Sequence, residues 1–252
     1  MAETGQVIRD HWWWRPGWRV GRSFYTWHIT FDDQPAVHRL AAEYSPVLEG
    51  LTTLDPVPPR WLHLTMQGVG FTDTVDRADV DAIVDAVQQR CAELAPFTIT
   101  LGPARVDREA LMLPVQPAEP ILALRATIRA AIADQWGPDR VPENDDGFRA
   151  HVSLAYSNTV GPAEPVLERL EARPVTPAEI TVHRAALIDL NRDHRVYEWT
   201  EIATADLGAP NLRRTQASVP AAGHDQCGEP TSSAAYRTSR RDVLCWRTMV
   251  SS

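Results

Sequence analysis

The alternation and spacing of apolar positions divide the chain into a regular succession of elements. Residues 23–31, Ser-Phe-Tyr-Thr-Trp-His-Ile-Thr-Phe, are aromatic and β-branched and predict a strand. Along it Tyr25, Trp27 and Ile29 share one face, and Phe24, Thr26 and His28 the other, so an aromatic side chain lines either surface. Residues 34–50 place Val37, Leu40, Ala41, Tyr44 and Leu48 at helical spacing. A proline-rich connector over 55–59 leads to a strand at about 61–67, which Gly68 and Gly70 are expected to close. The clearest helix covers 76–95, with Val80, Ile83, Val84, Val87, Cys91 and Leu94 in one stripe. Strands near 97–106 and 109–115 meet at Asp107-Arg108, and a helix over 119–136 turns Ile121, Leu124, Ile128 and Ile132 inward. A polar loop over 137–147 delivers the chain to a strand at about 148–156. A helix near 163–172 follows, then strands near 179–190 and 195–204 joined by a turn at Asn191-Arg192-Asp193-His194.

The two halves thus repeat one order of elements, as a degenerate duplication would. Residues 1–22 form a Trp- and Arg-rich extension, 23–206 the folded domain, and from Leu207 onward periodicity disappears, which predicts a disordered tail with at most a short helix over 241–250.

Composition narrows the class. With 44% apolar and 23% charged residues, the 252-residue chain is an ordinary globular one. No run reaches the roughly 18 apolar residues of a membrane span, and Met1 to Asp10 lack the apolar core of a signal peptide, so the cytoplasm is the expected location. Cys91, Cys227 and Cys245 are odd in number and far apart, indicating neither a disulfide framework nor a zinc site. The net charge of −8 is uneven: residues 207–252 carry six Arg against three acids, and the rest is strongly acidic. An acidic body disfavours sequence-independent binding of long nucleic acid, but a small nucleotide or one RNA end in a local basic cleft is compatible. The chain has no lysine, which excludes a P-loop and the lysine-adenylate chemistry of ATP-dependent ligases.

The candidate chemistry lies in two short segments. His63-Leu64-Thr65-Met66 and His151-Val152-Ser153-Leu154 both read His, aliphatic, hydroxyl, apolar. On a strand, the His and the hydroxyl two residues on share a face while the apolar pair anchors the other. Two such strands facing each other give two imidazoles and two hydroxyls around a cleft, where one imidazole takes a proton and the other gives one. On a regular strand, Arg149 would share the face of His151 and Trp61 that of His63. Arg149 then reads as a phosphate clamp or a solvated strand end, Trp61 as a base-stacking platform or a core residue, and His28 as a substrate contact or a structural histidine. Interleaved Trp and Arg over 11–19 read either as a stacking surface for single-stranded nucleic acid or as a seal over an apolar edge; packing is favoured. The eight histidines lack metal-ligand spacing, so no metal and no cofactor are expected.

The paired motifs, their separation and the strand–helix order around them resemble the 2H phosphoesterase superfamily, closest to its bacterial 2′-5′ RNA ligase and RNA 2′,3′-cyclic phosphodiesterase branch. The resemblance spans roughly residues 20–206; Tyr156 and the closing hairpin with Tyr197 and Trp199 also look familial. It implies an α+β fold of two pseudosymmetric lobes, with antiparallel sheets flanking a central groove and helices outside. It further implies metal-independent opening of a 2′,3′-cyclic phosphate at an RNA end, or of a related small nucleotide phosphodiester. His63 would be the proton donor and His151 the acceptor, Thr65 and Ser153 would bind the non-bridging oxygens, and Tyr156 would join the substrate contacts. The alternatives are a nucleotide- or RNA-end-binding module without turnover and a reversible 2′-5′ RNA ligase. The protein is expected to be a monomer.

Overall fold

In the computed structural model of the protein, residues 6–143 and 147–208 are described. The expectations for residues 209–252, including the disordered tail and the helix over 241–250, lie outside them. In chain order the elements are β1 (Val7–Ile8), β2 (Phe24–Thr30), α1 (Pro35–Glu43), α2 (Ser45–Leu48), β3 (Leu54–Pro56), β4 (His63–Phe71), α3 (Arg77–Cys91), β5 (Phe97–Leu101), β6 (Arg105–Val106), β7 (Ala110–Gln116), α4 (Glu119–Trp136), β8 (His151–Ser157), β9 (Gly161–Pro162), α5 (Glu164–Glu171), β10 (Ala178–Val182), β11 (Arg184–Asn191) and β12 (Glu198–Asp206).

Two antiparallel sheets carry the fold. One has the order β12-β11-β2-β4; the other runs β10-β5-β7-β8-β3, with β6 on β7. The two motif strands, β4 and β8, therefore sit in different sheets, and they pack against each other. Helices α3 and α4 cover the outer face of the first sheet, and α1 lies on β10 of the second. The α+β architecture with helices outside and sheets about a groove is the one the resemblance implies.

Each sheet takes strands from both halves of the chain. The strand expected over 179–190 is in fact two: β10 closes the second sheet, the chain crosses at His183, and β11 enters the first sheet between β2 and β12. The burial pattern changes at the crossing: Ile180 and Val182 alternate in the first piece, whereas Ala185, Ala186, Leu187 and Ile188 in the second are all buried, as in a strand covered on both faces. The helix predicted over 34–50 is broken into α1 and α2 at Tyr44, whose hydroxyl accepts from the Ala104 N–H at 2.8 Å.

β4 runs through Gly68 and Gly70 to Phe71 instead of stopping before them. The two glycines mark close approaches: a Cβ at Gly70 would lie 2.3 Å from Val75 Cγ2, and one at Gly68 2.7 Å from Glu143 Oε1. Register shifts between β2 and β4 make Met66 and Val69 bulge residues, and both point into the core. The bulged Met66 carbonyl accepts from Arg125 Nε at 2.9 Å; Arg125 itself is buried on α4, beside Glu143 and under the Phe148 ring. A buried carbonyl that leaves a sheet ladder needs such a donor.

Candidate active site

The site is built from the two motif strands upward. On β4, Leu64 and Met66 are fully buried in the core, which turns His63 and Thr65 to the groove. On β8, Val152 and Leu154 do the same for His151 and Ser153. Tyr156 lies five residues after His151 and would face away from it on a regular strand. A shift in the β7–β8 register puts Leu154 and Ala155 consecutively into the core and brings Tyr156 back to the groove side.

Each histidine is oriented by the same device. His63 Nδ1 lies 2.8 Å from the Trp61 carbonyl, and His151 Nδ1 lies 2.8 Å from the Arg149 carbonyl. A carbonyl only accepts, so Nδ1 carries the proton in both rings and Nε2 is the bare nitrogen. Both imidazoles are held neutral. Burial lowers His63 to about 4, against the pull of the Trp61 carbonyl; the nearness of His151 adds to this, since the two rings would repel if both were protonated. Burial also lowers His151, opposed by the Arg149 carbonyl and by Asp107.

A third histidine stands beside the first. His28, opposite Thr65 in the β2–β4 register, stacks on His63 with centroids 4.6 Å apart and planes 5° from parallel. It is buried, and burial together with His63 holds its pKa well below the usual histidine value. Trp199 packs edge-on against both rings.

The cleft, open on one side, is lined by His63, Thr65, His151, Arg149, Tyr156 and His28 among others. Two expectations change. Trp61 does not share the strand face of His63: it ends a tight turn over Pro59–Trp61 and packs against Trp199 at 4.6 Å. Its carbonyl, rather than its ring, reaches the site. Arg149 likewise precedes β8, yet its exposed guanidinium lines the cleft while its carbonyl fixes His151. Ser153 is only 5% exposed and bonds to Tyr156, so it sits deeper than Thr65.

Sequence reasoning did not assign His11 a role, and it lines the same cleft. Its ring stacks on Tyr156 at 4.1 Å; Nδ1 is 3.0 Å from Glu109 Oε2 and Nε2 is 2.9 Å from the Tyr197 hydroxyl. Burial lowers its pKa to about 4, with the Glu109 hydrogen bond opposing. No motif announces it; the one signal is its place in the Trp/Arg stretch. Of that stretch Trp12 and Trp18 are buried, as the packing reading has it, whereas Trp13 is 40% and Trp14 50% exposed. Among the described residues, no group of three His, Cys, Asp or Glu is arranged to hold a metal ion. No helix among them is long and apolar enough to cross a membrane.

Facing antiparallel sheets, each presenting one His-x-hydroxyl-x strand to a shared groove, define the 2H phosphoesterase class. The family model of the 2′-5′ RNA ligase superfamily matches residues 25–194, and the chain belongs to that superfamily. Its members are phosphoesterases and ligases, which makes this protein an enzyme in general terms. Among solved structures, TT0787 of Thermus thermophilus is similar with a TM-score of 0.55 and 23% identity, over 74% of this chain and 98% of that one. LigT of E. coli, solved with 3′-AMP, gives a TM-score of 0.53 at 15% identity over 75% of this chain and 99% of its own. LigT with NADP+ gives 0.54 at 16% identity, over 75% of this chain and 99% of its own. At these identities the likeness is one of fold. Among curated proteins none matches the chain.

Proposed function

We propose that the groove hydrolyses a phosphodiester of an RNA end or small nucleotide, a 2′,3′-cyclic phosphate first of all, by two-histidine acid–base catalysis without a metal. The observation that carries this reading is the matched pair of imidazoles, each with Nδ1 tied to the carbonyl two residues upstream. That leaves two Nε2 atoms, one from each sheet, for one substrate. One imidazole, neutral at pH 7, takes a proton from water as it attacks phosphorus; the other protonates the leaving ribose oxygen. The anionic phosphate raises the pKa of the donor histidine when it binds, which supplies the proton that the free site does not hold. The resemblance gives the donor role to His63 and the acceptor role to His151. Thr65 on the cleft wall and the Arg149 guanidinium hold the non-bridging oxygens, where charge builds. The nucleotides in the LigT complexes support a nucleotide as the ligand class.

The test is turnover of nucleoside 2′,3′-cyclic phosphates and of an RNA with that end, in EDTA. His63→Ala and His151→Ala should each lose about 10²–10⁴-fold in kcat, the usual worth of one acid or base. With an aryl leaving group that needs no protonation, activity should return in His63→Ala alone. Undiminished turnover in either variant, or loss of turnover in EDTA, would refute the mechanism.

A further inference from the structure

The groove between the sheets is longer than its reactive end. On the first sheet His63 pairs with Thr30 at one end of the β2–β4 ladder, and Phe71 pairs with Phe24 at the other. Between His28 and Phe24 the floor extends about 13 Å, at 3.3 Å per strand residue. A bare groove of that kind would let a polynucleotide pass beyond the histidines. In this protein it does not stay bare. Trp12 and Trp18 are packed into it, in one apolar cluster with Phe24, Phe71, Leu190 and Tyr156, side chains contributed by both sheets.

The segment that carries these tryptophans is fixed to both walls. The His11 N–H donates to the Ser157 carbonyl at 2.8 Å, and the Trp12 indole donates to Asp55 at 2.9 Å, both on the second sheet or its connections. Arg15, 5% exposed, pairs with Glu109 at 2.7 Å. From the first sheet's hairpin, Arg192 donates to the carbonyls of His11 and Trp13. A short ladder of β1 with β9 anchors its start. The family match begins only at Tyr25, so the segment is an addition to the part of the chain that the family model matches.

We propose that residues 8–18 form an end wall of the substrate groove, so that the site takes a phosphodiester at a chain end or in a small nucleotide and rejects one flanked by nucleotides on both sides. This deepens the functional reading above and rests on the same groove. The wall is also braced at the cleft itself. His11 donates from Nδ1 to the Glu109 carboxylate, so its Nε2 is an acceptor and the Tyr197 hydroxyl must donate to it. These contacts, with the stacking of His11 on Tyr156 at 4.1 Å, fix the wall against the cleft.

The test measures binding, so it does not depend on turnover. The His63→Ala/His151→Ala double variant is titrated with adenosine 2′,3′-cyclic phosphate, with an RNA hexamer ending in that group, and with a hexamer holding one central 2′-5′ linkage. The two terminal ligands should bind at least tenfold more tightly than the internal one. Adding Trp18→Ala, which opens the far end of the groove beside Phe24 and Phe71, should reduce that preference to about threefold or less. Equal affinity for all three ligands, no binding of any, or an unchanged preference in the Trp18→Ala protein would overturn the wall. Absence of hydrolysis by the unmodified protein would instead sink the catalytic reading and leave this comparison standing.

Discussion

Histidine protonation couples the site to stability. His63 and His11 are each lowered to about 4 by burial, so both are neutral in the folded protein where they would be charged in the unfolded chain. Below the ordinary histidine pKa the unfolded state binds more protons, and folding free energy falls as pH drops from about 6.5 to about 4. The loss is on the order of 3 kcal/mol for each residue. Glu143, raised to about 7 by burial, opposes this, since its folded form holds a proton that the unfolded form releases above the usual carboxylate range. Comparison with His63→Gln isolates one contribution: thermal melts of the variant across pH 4 to 7 should show a visibly shallower slope than the parent. Identical slopes would mean that His63 is not buried neutral. The residue scale also marks how far sequence reading reaches. The two motif histidines are legible because a motif repeats, and Thr65 follows from strand alternation. His11 and the Glu109 that orients it are not, because they lie 98 residues apart and only the fold joins them.

At the scale of elements, legibility follows how local the determining forces are. The helix at 119–136 matches its expected span because its apolar positions recur within one helix. The His strand at 63–71 departs from expectation at both ends. Gly68 and Gly70 look like stops, yet they are where Glu143 and Val75 press against the sheet. The bulges that return Tyr156 to the groove, and that turn the Met66 carbonyl to Arg125, leave no trace in the alternation. The second bulge makes a prediction. Arg125→Met removes the donor for that carbonyl and a partner of buried Glu143, which then stays protonated, and should cost about 1–3 kcal/mol, the usual penalty of a buried polar group left unsatisfied. Pairing it with Glu143→Gln should recover part of the loss in urea unfolding; additive losses would show that the two residues are not coupled.

For the whole molecule, the extension and the domain are one structure, for Arg15 and Glu109 join residues 94 apart across the groove's end. Trp12→Ala should therefore cost about 3–5 kcal/mol, as a core truncation does rather than a surface one. A change in unfolding free energy below about 0.5 kcal/mol would show that the segment merely rests on the surface. The division into an extension ending at residue 22 and a domain starting at 23 describes the pattern of the sequence better than the packing of the fold.

The crossing at His183 bears on how the protein is made. β2 pairs with β4 early in the chain, but its other neighbour is β11, with Trp27 opposite Leu187. During synthesis both motif histidines leave the ribosome while half of the first sheet does not yet exist. Until the last hairpin arrives, one edge of an aromatic, β-rich strand stays unpaired, the condition under which nascent chains aggregate or engage chaperones. Pairings of such long sequence separation also form slowly. Translation that stops near Val182 thus completes the sheet of His151 but leaves the sheet of His63 with two of its four strands, so the final strands decide when the two histidines share one site.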